Sequence, residues 1–205
     1  MPVAQEIDQV APGILIWQLY DRTVKADLFS TALETLSGVY LIDPIPLRTE
    51  CLALLSVRSE MAGIIVTNEN HWRATSDFAA RFSVPVHLHS TLLETAGVSQ
   101  KSGLEDKSRL PSGLTAIAIE GAPLGEIAVH HDGAGGTIVL GDALINFEPH
   151  GFGFLPAKYC SDFKLMRRSL PRLLDYSFER IFFAHGMPIL SKGRERLETL
   201  LGECR

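Results

Sequence analysis

The sequence has few cysteines, and none of them has the spacing of a metal knuckle or a redox pair. Its 205 residues include only Cys51, Cys160 and Cys204, which are odd in number and lie far apart. Neither a disulfide framework nor a Cys-x-x-Cys zinc site is indicated. We therefore interpret the cysteines as reduced thiols.

The sequence also lacks runs of one charge and long apolar segments. Nineteen Lys and Arg stand against 24 Asp and Glu, giving a net charge of -5, and the longest basic run is the pair Arg167 and Arg168. No apolar stretch reaches the roughly 18 residues of a membrane-spanning helix, and the first residues do not resemble a signal peptide. We predict a cytoplasmic protein that binds a small molecule and contacts neither nucleic acid nor membrane. A homodimer is one of the oligomeric states that the sequence leaves open.

Two common motifs of catalytic sites are missing as well. The glycine-rich stretch at residues 132–136 leads into a strand-like segment, without the helix and the Gly-Lys-Ser/Thr of a phosphate-binding loop. No Gly-x-Ser-x-Gly sequence is present, so the serine nucleophile of an α/β-hydrolase is not indicated.

Alternating strand-like and helix-like segments are present instead. In the first half, short β-rich segments alternate with helical patterns, whereas three strand-like segments follow one another closely from Leu114. A helix at 161–176, a strand at 180–186 and a helix at 191–202 complete the pattern. We predict one domain over residues 1–205, of mixed α/β class, with sheets covered by helices.

Several of the predicted strands run into polar or glycine-containing turns, where functional side chains are often placed. The clearest example is GIIVTNENHWRAT at residues 63–75, in which an apolar strand leads into a polar cluster. A Gly-Asp turn and an Ala-His-Gly turn occur later in the chain. The resulting pocket candidates are Asn68, Asn70, His71, Arg73, Asp142 and His185.

The order of these segments resembles the metallo-β-lactamase superfamily over nearly the whole chain. The matching segments are LIDP at 41–44, IIVT at 64–67, GAPLGEIAV at 121–129, TIVLGDALI at 137–145 and FFAHGMP at 182–188. This resemblance implies a four-layer αββα sandwich. It also implies a centre that in typical members holds two metal ions with a His-x-His-x-Asp-His loop, a further His, an Asp in a Gly-Asp turn and a late His.

Most of the ligands that the resemblance implies are replaced in this chain. The replaced positions are Asn68, Asn70, Trp72, Arg73 and Ala122, and the retained ligands are Asp142 and His185. A carboxamide is a poor ligand for zinc or iron, and a guanidinium repels a dication. We therefore interpret the chain as a degenerate member of the superfamily and do not expect a standard dinuclear hydrolase.

Three hypotheses about function remain open at this point. The leading one is a protein with a degenerate, metal-free centre: a pseudoenzyme that serves as a binding or regulatory protein, or an enzyme that uses a metal-free pocket. In this hypothesis Arg73 takes the place of a metal ion and pairs with Asp142. The alternative is a hydrolase that keeps one zinc or iron ion on Asp142, His185 and a third ligand, His71 or Glu69, and acts on an ester, thioester or phosphoester. The third is a purely structural or interaction role in which the pocket is vestigial. The sequence therefore does not decide whether the protein is an enzyme.

Overall fold

The strands of this protein form two main sheets, and the helices pack on the outer faces of those sheets. The computed structural model describes residues 2–58, 60–111, 113–147 and 151–202, and only the backbone of residues 56–58. The strands are β1 Asp8–Ala11, β2 Ile14–Asp21, β3 Ala26–Thr35, β4 Gly38–Ile42, β5 Met61–Val66, β6 Val86–His89, β7 Lys101–Leu104, β8 Arg109–Leu110, β9 Leu114–Ala118, β10 Ile127–His131, β11 Thr137–Leu140, β12 Leu144–Phe147, β13 Gly151–Phe154 and β14 Arg180–Phe183. The α-helices are α1 Thr49–Arg58, α2 Thr75–Phe82, α3 Phe163–Ser169 and α4 Gly193–Gly202.

The strands form two large sheets and one separate hairpin. The first sheet has the order β1-β2-β3-β4-β5-β6-β7, the second β14-β11-β10-β9-β8, and β12 pairs with β13. Strands β1 to β4 are antiparallel neighbours, whereas β4 to β7 run parallel. In the second sheet, β11 is parallel to β14 and antiparallel to β10. This topology brings the ends of four strands, two from each sheet, to one edge.

Strand β4 illustrates why these segments are continuous apolar runs. All five of its residues are buried, because strands of a covered sheet bury both faces. Val39 and Leu41 belong to an apolar cluster shared with the first helices. Tyr40 and Ile42 point the other way, into a cluster that both sheets share.

Three apolar clusters correspond to the three spaces between four layers. Leu55 of α1 and Phe78 of α2 pack on the outer face of the first sheet. Met166 of α3 and Leu197 of α4 pack on the outer face of the second sheet. With the cluster between the sheets, this arrangement confirms the predicted αββα sandwich.

Two segments differ from the sequence-based prediction. The helix expected at 161–176 begins at Asp162, whose side chain accepts the N–H of Leu165, but α3 ends at Ser169 and continues as a 3-10 helix, Leu170–Asp175. Pro171 cannot donate the backbone hydrogen bond that an α-helix needs there. The strand expected at 137–145 is split into β11 and β12.

Two of the three cysteines lie among the described residues. Cys51 and Cys160 are free thiols, and Cys204 lies outside the described residues. Within the described ranges, no helix combines the length and apolar character that crossing a membrane would need.

Candidate metal centre

The candidate site lies where strands of both sheets end. Asp43 follows β4 and Thr67 follows the parallel strand β5, while Asp142 and His185 lie just beyond β11 and β14. The carboxyl ends of parallel strands meet at the same edge of a sheet. The backbone N–H of Ile127 donates to the carbonyl of Thr67 at 2.8 Å, so the two sheets are joined directly at this edge.

Nδ1 of His71 is held by two polar contacts, whereas Nε2 of the same ring makes no hydrogen bond. The imidazole is buried, with 2% of its side chain exposed, and its Nδ1 lies 2.9 Å from Oδ2 of Asp43. The same nitrogen is 2.8 Å from Oγ1 of Thr67. Nε2 lies 3.3 Å from Oδ1 of Asp142, but the direction does not satisfy a hydrogen bond and the atom has no other partner.

Asp43 determines which nitrogen of His71 carries the proton. Burial alone raises the pKa of Asp43, but His71 and Arg73 outweigh burial and keep that pKa below its usual value. The carboxylate is therefore an acceptor only, and it already accepts from the N–H and the hydroxyl of Thr67 at 2.9 and 2.6 Å. Nδ1 of His71 must donate to it, which leaves the lone pair of neutral His71 on Nε2.

His185 approaches Asp142 from the other side. Its Nε2 lies 3.2 Å from Oδ1 of Asp142, and its Nδ1 is 3.3 Å from the carbonyl oxygen of Asp27. The rings of His71 and His185 are 5.4 Å apart between centroids. Both imidazoles therefore present Nε2 to the same carboxylate oxygen and use Nδ1 to fix the ring.

The three side chains have the separations expected of metal ligands. Ligand atoms of His71, Asp142 and His185 all lie within 4.8 Å of one another. Ligands about 2.0–2.1 Å from a tetrahedral ion are about 3.4 Å apart, and the two nitrogen–oxygen distances are 3.3 and 3.2 Å. Imidazole nitrogens and a carboxylate oxygen suit zinc or iron, and the unpartnered Nε2 of His71 is a buried atom that such an ion would satisfy.

The same carboxylates control the protonation of the two histidines. Burial and Arg73 lower the pKa of His71, but Asp142 and Asp43 outweigh them and raise it to about 9. Burial lowers the pKa of His185 despite its contact with Asp142. The pKa of Asp142 is raised by burial, yet His71 and His185 bring it well below its usual value. Without a metal ion, the proton of this group therefore resides on His71 at neutral pH.

Asn68 lies on the far side of Asp142 from the histidines. Its amide nitrogen donates to Oε2 of Glu126 at 2.6 Å and to Oδ2 of Asp142 at 3.1 Å. Its carbonyl oxygen accepts the backbone N–H of Asn70 at 2.8 Å. Burial, followed by the charge of Asp142, raises the pKa of Glu126 to about 8, whereas the hydrogen bonds from Ala143 and Asn68 favour the carboxylate form.

The leading hypothesis expected Arg73 to pair with Asp142, but the guanidinium binds backbone carbonyl oxygens instead. Its guanidinium donates to the carbonyl oxygens of Phe29 at 2.6 Å, Asp43 at 3.1 Å and Ala184 at 3.4 Å. Its backbone has a φ of 39°, an uncommon left-handed conformation for a residue other than glycine. Arg73 thus ties strand ends of the two sheets together beneath the site.

The other predicted positions lie outside the cluster of ligands. Asn70 is exposed, Trp72 packs against the apolar cluster beneath the first helices, and Ala122 is buried in the cluster beneath the last helices. Of the aromatic residues near the site, Phe147 contacts His185, with 6.1 Å between ring centroids.

The sequence-based prediction missed Glu126, which directly precedes β10. An acidic residue between Gly125 and the apolar segment beginning at Ile127 is the signal that was available, because a carboxyl group at the start of a buried strand needs polar partners. Thr67 belongs to the polar cluster but was not among the pocket candidates, although its hydroxyl contacts both Asp43 and His71.

Comparison with known families agrees with the architecture. A family profile described as the metallo-beta-lactamase superfamily matches residues 8–203. The chain belongs to the metallo-β-lactamase superfamily. A comparison with curated proteins found no significant match.

Solved structures of metallo-β-lactamases share the fold at low sequence identity. A crystal structure of the DIM-1 metallo-β-lactamase exposed to ceftazidime is 11% identical, with a TM-score of 0.73 over 100% of this chain and 99% of that one. A metallo-β-lactamase from Pontibacter korlensis is 15% identical, with a TM-score of 0.72 over 96% and 98% of the two chains. A metallo-β-lactamase family protein from Thermus thermophilus is 18% identical, with a TM-score of 0.66 over 96% and 80%. At these identities the likeness concerns the fold alone.

Proposed function

We propose that the protein is a hydrolase that binds one zinc or iron ion through His71, Asp142 and His185. The observation that carries the proposal is the buried, unpartnered Nε2 of His71, which lies 3.3 Å from Oδ1 of Asp142. This hypothesis was the alternative at the level of sequence, and the placement of His71 now favours it over a metal-free site. An ion in such a site supplies a Lewis acid for hydrolysis of an ester, thioester or phosphoester.

The residues around the ligands support this assignment. Asp43 and the carbonyl of Asp27 accept from Nδ1 of the two histidines, which is how outer partners orient imidazole ligands and fix their tautomer. The side chains of His185 and Asp142 are 16% and 10% exposed, against 2% for His71. A substrate would therefore approach from the side of His185, past Phe147.

Arg73 and Thr67 supply the rigid frame of this mechanism. Arg73 holds the carbonyls on either side of the sheet junction, so Asp43 and the strand before His185 cannot move independently. Thr67 fixes the Asp43 carboxylate through two hydrogen bonds. These contacts keep both imidazoles aimed at one point before any substrate binds, which is the preorganisation that catalysis requires.

Hydrolysis assays of metal-loaded and chelator-treated protein test the proposal. The substrates are an aryl ester, an acyl thioester and a bis-aryl phosphate, and the variants are D142A and the control N70A, which changes an exposed side chain of the same loop. We expect metal-dependent hydrolysis of at least one substrate class, lost in D142A and kept in N70A. Equal turnover with chelator and in D142A would refute metal-dependent hydrolysis.

A metal-free binding protein is the second candidate, and one observation favours it. Because its pKa is raised to about 9, His71 is an imidazolium at neutral pH that can itself neutralise Asp142 and Asp43. Protein that never takes up zinc or iron, yet binds a small anionic ligand, would support this function. The cytoplasmic location, the small-molecule ligand and the homodimer stay predictions in either case.

A further inference from the structure

The two oxygens of Asp142 face different partners. Oδ1 lies 3.3 Å from Nε2 of His71 and 3.2 Å from Nε2 of His185. Oδ2 accepts a hydrogen bond from the amide of Asn68 at 3.1 Å. One oxygen is therefore directed to the proposed metal position and the other is held away from it.

The hydrogen bonds of the Asn68 side chain fix the orientation of its amide group. Its nitrogen donates to both Glu126 and Asp142, and its oxygen accepts the N–H of Asn70. Turning the amide over would set its nitrogen against the N–H of Asn70 and its oxygen against Asp142. The side chain is fully buried, so each lost contact would leave a polar group unsatisfied.

Glu126 connects this amide back to the backbone that carries Asp142. Its Oε2 accepts from Asn68 at 2.6 Å and its Oε1 accepts the backbone N–H of Ala143 at 3.0 Å. Ala143 is the next residue after Asp142, so the contacts form a closed ring from the carboxylate through Asn68 and Glu126 to the adjoining peptide. The ring restrains both the side chain and the main chain of Asp142.

The space for this ring depends on Gly141. A Cβ atom at that position would come within 2.6 Å of Oγ1 of Thr67 and 2.8 Å of both carboxyl oxygens of Glu126. These approaches are closer than real Cβ contacts, so only glycine lets the Glu126 carboxyl sit against the turn. The turn and the carboxyl are therefore fitted to each other.

We propose that Asn68 and Glu126 are positioning residues that confine Asp142 to binding the metal ion through a single oxygen. This inference rests on the proposed single-metal function, because it concerns how one of its three ligands is held. If the ring is opened, Asp142 is free to rotate and to present both oxygens to the ion. The coordination number of the ion then rises.

Titration with Co²⁺ tests the inference, since the visible absorption of cobalt is strong in four-coordinate sites and weak in sites with more ligands. The variants are N68A, E126Q as a milder opening of the same ring, and N70A as the control. E126Q keeps the size of the side chain but replaces one carboxyl oxygen with an NH₂ group. That group would face either the amide N–H of Asn68 or the backbone N–H of Ala143, and a donor cannot bind a donor. We expect strong four-coordinate absorption in the wild type and N70A, weaker absorption in N68A and E126Q, and a fall in Co²⁺ affinity of about 10- to 100-fold.

Identical spectra and affinities in all four proteins would overturn the inference. If N68A does not fold, E126Q alone decides, because its expected spectral change is the same. Crystal structures of the metal-free proteins separate this inference from the proposed function. Asp142 is expected to turn its Oδ2 toward His71 and His185 in the ring variants N68A and E126Q, but not in N70A. A wild type that takes up no Co²⁺ would refute the proposed metal site, whereas an unmoved Asp142 in the ring variants would refute the positioning role.

Discussion

The two sides of Asp142 are built in opposite ways. On the Asn68 side, every described polar atom of the amide and of the Glu126 carboxyl has a protein partner. On the histidine side, Nε2 of His71 is buried and makes no hydrogen bond, and its contact with the protein is the 3.3 Å approach to Oδ1 of Asp142. A buried polar group without a partner is costly, so the histidine side is the one that a cation would complete, and the Asn68 side needs no ion.

The largest effect is expected from removing His71, the ligand on the histidine side of Asp142. We expect H71A to lower zinc affinity by roughly 100-fold or more, because it removes one of three ligands and exceeds the effect of losing an outer partner. Isothermal titration with zinc measures the change, and N70A serves as the control in the same loop. Unchanged affinity in H71A would place the metal ion elsewhere.

Replacing Asp43 tests whether the orientation of His71 matters. In D43N the side chain keeps its size but loses one of the oxygens that accept from Thr67 and His71. We expect zinc affinity to fall by about 10- to 100-fold, less than in H71A. The same titration checks this order, and a D43N affinity below that of H71A would contradict it.

Adding a methyl group at Gly141 tests the fitted turn on the Asn68 side. We expect G141A to lower the free energy of unfolding by about 1–3 kcal/mol through overpacking, because its Cβ would crowd Thr67 and Glu126. The matched control is G153A, since no atom lies within 4 Å of a Cβ at Gly153. Denaturant unfolding of metal-free protein measures both, and equal stabilities would contradict the crowded turn.

The pH dependence of zinc binding tests whether His71 is protonated in the metal-free site. Zinc binds neutral imidazole and so must displace a proton from His71, whose pKa is about 9 in the metal-free site. Apparent affinity should therefore rise about tenfold for each pH unit between roughly 7 and 9 and then level off. Asp142 and His185 have lowered pKa values and add no proton in this range. A flat profile in competition titrations would contradict a protonated His71.

Asp142 and His185 stood out in the sequence because each follows an apolar strand at a glycine-containing turn that resembles a turn of the family, and the structure brings the two side chains together. The αββα fold was predictable for the same reason, since the order of such strands and turns carries the family pattern. His71 was proposed only as a substitute ligand, because its position depends on how residues 67–73 leave β5. That path includes the left-handed backbone of Arg73, which periodicity does not reveal.

The partners of Arg73 and Glu126 were not predictable for a different reason. Each contacts groups far away in the chain: Arg73 reaches the carbonyls of Phe29 and Ala184, and Glu126 reaches Asn68. Backbone carbonyls carry no sequence signal, so the guanidinium was paired with the nearest expected carboxylate. Only the junction of the two sheets identifies its actual acceptors.

The metal content of protein purified without added metal or chelator tests the central claim most directly. Elemental analysis of the wild type beside H71A would measure zinc and iron per chain. We expect one equivalent in the wild type and little or none in H71A. No metal in the wild type, or the same content in both proteins, would contradict a single ion held by His71, Asp142 and His185.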